Sequence, residues 1–141
     1  MPVGSPGPLA IFRILVAEDN AVNQKVISIL LRETGSEVDV VSDGAQALIA
    51  QRSKPYDLIL MDLQMPVMDG WEATRQIRHM RGSQPVIVAV TADVVAGVQE
   101  KCRDAGMDDY LSKPFTRDRL LAMVRIVHER RMKADTISKA S

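Results

Sequence analysis

Three acids, a hydroxyl and a lysine, each standing just after a short apolar run, are the residues of this sequence best suited to chemistry. Glu18 and Asp19 follow the run 14–17, Asp62 follows 58–61, Thr91 follows 86–90, and Lys113 comes soon after the weaker run 110–111, with Pro114 next. Taken singly they are ordinary. Asp62 suits a turn, Glu18 and Asp19 suit a helix start, Thr91 a strand end and Lys113 a solvated surface. Their weight comes from recurrence at one kind of position. If the runs are parallel strands, all five residues lie at or beyond carboxyl ends, where open α/β sheets bind ligands.

Gathered there, three carboxylates raise one another's pKa unless a cation sits among them, and an all-oxygen set suits magnesium, with manganese as a substitute. Glu18, Asp19 and Asp62 carry a formal charge of minus three, which Lys113 reduces to minus two and a divalent ion cancels. That balance keeps Asp62 ionised and nucleophilic while an anionic phosphoryl group approaches. Magnesium retains several waters, so the direct ligands expected are Asp19, Asp62 and a backbone carbonyl of the loop 63–70, that of Gln64, with Glu18 acting through water. In-line attack by Asp62 would form an acyl phosphate, its spreading charge met by the metal, Lys113 and the Thr91 hydroxyl.

The elements that must position these groups are legible in outline. Apolar runs at 14–17, 38–41, 58–61, 86–90 and 110–111 are too short for helices and read as strands buried on both faces. Segments of helical period lie between them. Val22, Val26, Ile29 and Leu30 share one face of the first, and Leu120, Met123, Val124 and Val127 share one face of the last. Asp43 before Gln46 and Asp69 before Glu72 outline capping boxes, and Gly35, Gly82 and Gly106 mark stops. Strand and helix therefore alternate five times, predicting an α/β fold with a parallel sheet and helices on both faces. Residues 1–10, with three prolines and two glycines, read as a linker or appended segment, 11–132 as the folded domain and 133–141 as a frayed polar tail.

Composition excludes several function classes. With 18 basic and 18 acidic residues the formal charge is zero, so no global field draws the chain onto nucleic acid or an anionic membrane. No apolar run approaches the ~20 residues of a membrane helix, and the first residues lack the charged and apolar regions of a signal peptide. Cys102, the single cysteine, excludes an internal disulfide and any multi-cysteine metal site. It reads as a small buried hydrophobe in the fourth helix. A cytoplasmic location is the expectation. His128 and Glu129 lack the threonine and proline of a kinase phosphorylation motif, so His128 reads as a surface helix end. His79, between Arg78 and Arg81, suits a helix carboxyl end, and Trp71 reads as packing at the start of the third helix.

Four strings carry a resemblance to the response-regulator receiver domains of two-component systems: LVAEDNAVNQKV from Leu15, YDLILMDLQMPVMDG from Tyr56, AVTAD from Ala89 and AGMDDYLSKPF from Ala105. The resemblance runs from about Phe12 to His128, and the wording is most similar to receivers attached to hybrid sensor histidine kinases. It implies a flavodoxin-like, doubly wound sheet of order 2-1-3-4-5, with Asp62 as phosphoacceptor, Glu18 and Asp19 as the magnesium-holding acids and Lys113 as the motif lysine. It further implies Thr91 as the switch hydroxyl, Tyr110 as the switch aromatic, and a Lys113–Pro114 peptide that is often cis. In such proteins Thr91 would move onto the new phosphate and Tyr110 would turn into the vacated space, changing the face of helix 4, strand 5 and helix 5. That face would also serve a weak homodimer. The implied partner is a phosphohistidine on a histidine kinase or a histidine phosphotransfer protein. The parent would be a hybrid kinase, with a stand-alone regulator as the alternative.

Other classes are weaker. A hydrolase of the haloacid dehalogenase type needs a second acid two residues after its nucleophile, and Gln64 stands there; nucleotide switching lacks both GxxxxGK[ST] and GxGxxG. A module that binds without phosphoryl transfer does not need the full set of acids, hydroxyl and lysine. Conventional enzyme activity is not expected of the segment beyond its own phosphorylation and dephosphorylation, in which Gln64 and Asp93 flank the site.

Overall fold

The computed structural model describes residues 12–92 and 96–140, with 134–140 as backbone alone. Elements follow in the order β1 (Arg13–Ala17), α1 (Ala21–Arg32), β2 (Glu37–Val41), α2 (Gly44–Ser53), β3 (Leu58–Asp62), α3 (Gly70–Arg78), β4 (Val86–Thr91), α4 (Val98–Ala105), β5 (Asp109–Ser112) and α5 (Arg117–Ala140). All strand pairs are parallel and the order is β2-β1-β3-β4-β5. This is the doubly wound α/β sheet that the sequence predicts.

Strand parity sorts the core into two layers. Leu15, Ala17, Ile59, Met61, Ile87 and Ala89 face α2, α3 and α4, against Ala47, Ala73, Ile77 and Cys102. Ile14, Val16, Leu58, Leu60, Val88 and Val90 face α1 and α5, against Ile27, Leu31, Leu120 and Val124. A strand buried on both sides has no polar face to show, which is why these runs are continuous rather than alternating.

The helix signals hold with amendments. Asp43 and Asp69 cap α2 and α3 by accepting from the Gln46 and Glu72 amides at 2.8 and 2.9 Å. The Gln46 side chain returns to the Ser42 amide, one residue outside the expected box. Gly106 caps α4 in the left-handed region at φ 104°, a conformation that suits glycine. Arg78 then ties the amino edge of the sheet together, donating to the Gly106 and Pro85 carbonyls at 2.8 Å and to Asp108 at 2.9 Å.

Three expectations change. The stripe read on α1 is mostly not its core face: Val22, Val26 and Ile29 are 70%, 51% and 52% exposed and only Leu30 of the four packs on the core, while Ile27, Ser28 and Leu31 are buried. The three exposed residues do share a side, and that side meets solvent. His128 is not at a helix end, because α5 runs on to Ala140; the ring is half-buried and meets Phe12 edge-on at 5.1 Å. Residues 133–140, read as tail, continue the helical backbone, since no glycine or proline interrupts it. Residues 1–10, the predicted linker, and Asp93 lie outside the described residues.

Candidate functional site

Strand order decides which carboxyl ends meet. The crossover from β1 leads outward to β2, and the chain returns through α2 to β3 on the other flank of β1, so the crevice opens between the tips of β1 and β3. Ala17 pairs with Met61, which sets Glu18 beside Asp62. β4 and β5 follow on the same side, with Thr91 paired to Ser112, one residue before Lys113.

The predicted residues converge. The Lys113 ammonium donates to Glu18 Oε1 at 2.8 Å and to Asp62 Oδ2 at 3.2 Å. Glu18, Asp19 and Asp62 each offer an oxygen within 4.8 Å of the others. Glu18 and Asp62 are 2% and 6% exposed, whereas Asp19 faces solvent, so the acidic pocket is closed below and open above. Three oxygens at this spacing, two of them buried, fit a hard divalent cation. Thr91 is buried at the end of β4, and its carbonyl accepts from the Lys113 amide at 2.7 Å, a backbone tie between the hydroxyl and the ammonium. The Lys113–Pro114 peptide is cis.

Tyr110 stands apart from the acids. It is half-buried on β5, against the α4 side of the core, and it borders a cavity of about 180 Å³ together with Cys102 and Met107. Cys102 is buried as expected, and burial pushes its thiol up.

Each charge has a local cause for its state. Burial pushes the Asp62 carboxyl above its ordinary value; the Gln64 amide, donating to Asp62 Oδ1 at 3.1 Å, and the Lys113 ammonium oppose this without cancelling it. Burial acts on Glu18 too, but its bonds from Lys113 and from the Asn20 amide at 3.0 Å outweigh it, and the group lies below its ordinary value. Burial disfavours the Lys113 charge, and the two carboxylates more than restore it. A neighbouring cation would therefore favour the ionised form of Asp62.

Some supporting residues escaped the sequence reading. Asn20 serves twice, capping α1 through the Asn23 amide at 2.9 Å and fixing Glu18 with its own amide. Its type and place before a helix were the available signal. The Gln24 side chain reaches the Glu18 carbonyl and Ser42, for which no sequence signal exists. In the loop after β3, Met68 donates to the Pro66 carbonyl at 2.7 Å across Val67, whose φ is 68°. Gly44 and Gly70 let backbones touch: a Cβ would fall 2.2 Å from the Met68 carbonyl oxygen at Gly44 and 2.3 Å from that of Asp62 at Gly70.

An open parallel sheet in this order, with an acidic crevice at its carboxyl edge bridged by the lysine that follows the fifth strand, defines a receiver-type α/β module. The chain belongs to the response regulator receiver domain family, whose profile matches residues 14–125. It is 44% identical over 111 residues to hybrid signal transduction histidine kinase I of Dictyostelium discoideum, covering 73% of this chain and 6% of that one. It is 40% identical over 121 residues to the signal transduction histidine-protein kinase BarA of Escherichia coli, covering 85% and 13%. The chain thus spans a small part of the curated relatives it matches. Among solved structures, the receiver domain of a Pseudomonas aeruginosa sensor histidine kinase, with magnesium coordinated in its active-site cleft, is 44% identical at a TM-score of 0.78 over 84% of this chain and 98% of that one. A response-regulator receiver domain from Saccharomyces cerevisiae, crystallised with a histidine phosphotransfer protein, is 30% identical at a TM-score of 0.73, covering 84% and 88%. Among the described residues, no helix is long and apolar enough to cross a membrane.

Proposed function

We propose that Asp62 accepts a phosphoryl group, that magnesium is held by Asp19, Asp62, the Gln64 carbonyl and, through water, Glu18, and that Lys113 and Thr91 meet the phosphoryl oxygens. The observation that carries this reading is the Lys113 ammonium bridging Glu18 and Asp62, with Asp19 in the same crevice. The ion, or manganese in its place, would supply positive charge for Asp62 and for the incoming anion. The chain's own part is positional. The Gln64 amide holds one Asp62 oxygen, leaving the other toward Lys113, and the backbone tie keeps Thr91 beside the lysine. In this reading Thr91 closes on the phosphate, and Tyr110 turns inward, altering the α4-β5-α5 face and with it any weak homodimer. Gln64 and Asp93 govern the attack of water on the acyl phosphate.

The donor in this reading is a phosphohistidine on a kinase or a histidine phosphotransfer protein, as the partner of the yeast neighbour suggests. Exposed Val22, Val26 and Ile29 on α1 offer it an apolar seat, continued by a cavity of about 320 Å³ lined by Val26, Lys113, Pro114 and Phe115. The domain, residues 11–132, is read as the receiver of a cytoplasmic or membrane-tethered hybrid histidine kinase.

Incubation with magnesium and a small phosphoryl donor should add one phosphate, read by intact mass, and Asp62→Asn should abolish it. Label surviving in the variant overturns the assignment.

A further inference from the structure

Beside the acceptor crevice lies a cavity of about 200 Å³, walled by Gln64, Trp71, Thr91, Gly97, Val98 and Lys101. Two of its walls belong to the crevice as well. The Gln64 amide donates to Asp62, and Thr91 ends the strand paired with that of Asp62. Trp71 and Lys101 have no part in the metal or phosphoryl sites. The exposed Lys101 lays its ammonium 3.9 Å over the centre of the Trp71 ring. An aromatic face attracts the ammonium and orients it without neutralising its charge. Trp71 in turn follows Gly70, whose close approach to the Asp62 carbonyl indexes the ring to the acceptor strand. The result is a positive charge fixed at a small cavity next to a nucleophile.

We propose that this cavity receives the leaving group of a small acyl phosphate and that Lys101, held on Trp71, is the positioning residue for the departing carboxylate. The inference rests on the reading of Asp62 as acceptor. As the Asp62 oxygen forms its bond to phosphorus, the bond from phosphorus to the acyl oxygen breaks and its electron pair stays on that oxygen. With acetyl phosphate, acetate leaves carrying one negative charge, and no proton is exchanged. A cation at the cavity favours that charge as it develops. Phosphoramidate transfers the same phosphoryl group but releases neutral ammonia, which gains nothing from Lys101. The two small donors therefore separate leaving-group charge from every other feature of the site.

The test compares initial labelling rates of the whole chain with acetyl phosphate and with phosphoramidate, in magnesium, for the unsubstituted protein, Lys101→Met and Lys101→Arg. Lys101→Met should slow acetyl phosphate by about threefold to fivefold, as expected for loss of one partly solvated charge contact. Its rate with phosphoramidate should stay within about twofold, and Lys101→Arg should keep most of both rates. Equal slowing with both donors, or an unchanged rate with acetyl phosphate, overturns the proposal. Absence of label from either donor on the unsubstituted chain overturns the acceptor reading instead.

Discussion

Val67 occupies a backbone state that its side chain resists. Its φ of 68° and the bond from the Met68 amide to the Pro66 carbonyl make a tight three-residue turn, a conformation costly for a β-branched residue. The side chain is 85% exposed, so it repays little of that cost by burial. Val67→Asn should therefore stabilise the protein by about 0.5–1 kcal/mol, seen as a higher urea midpoint with unchanged slope, since asparagine tolerates the left-handed region. Asp62, Lys113 and Glu18 differ from Val67 in being legible from residue type and position in the sequence alone. What their types do not state is that Lys113 pairs more closely with Glu18 than with Asp62, which follows from where the strand tips end.

At the scale of elements, the edge strand β2 depends on one polar cluster. Asp39 accepts from the Tyr56 hydroxyl at 2.6 Å and from Lys54 at 3.0 Å, linking β2 to the end of α2 and the start of β3. Tyr56 first and Lys54 second hold the Asp39 carboxyl below its ordinary value. A depressed folded pKa contributes stability that is present above the unfolded value, about 4, and is lost as pH falls through the folded one. Asp39→Asn should thus destabilise the protein at pH 7, with the gap to the unsubstituted chain narrowing as acid urea titrations go below about pH 4. Burial first and Asp39 second push the Tyr56 phenol up, so its contribution is present below its unfolded value, about 10, and is lost as pH rises through the folded one. Helix α1 shows where element-level reading fails. Helical spacing aligned Val22, Val26 and Ile29, but periodicity cannot say whether an apolar side faces a core or a partner.

For the whole molecule, the crevice exists only when β1, β3 and β5 are assembled, because its three acids and its lysine come from distant parts of the chain. The unfolded chain has no such cluster, so a cation that binds it stabilises folding by mass action. Magnesium at ten times its dissociation constant should raise unfolding free energy by roughly 1.4 kcal/mol. Asp62→Asn should remove most of that gain, and thermal melts with and without magnesium check both. A gain left intact in the variant would place the ion elsewhere.

By itself the sequence determined the alternation of strands and helices, the two-faced burial of the strands and the identity of the residues at their carboxyl ends. These are local properties, set by side-chain periodicity, chain punctuation and residue type within a few positions. Only the tertiary structure decided that Gly44 and Gly70 are contact points rather than mere helix starts, that Gln24 braces Glu18, that Lys101 lies on Trp71, and that α1 turns an apolar side outward. Each of those facts depends on the distance between segments far apart in the chain, and that distance is fixed by strand order and packing, which no local pattern encodes.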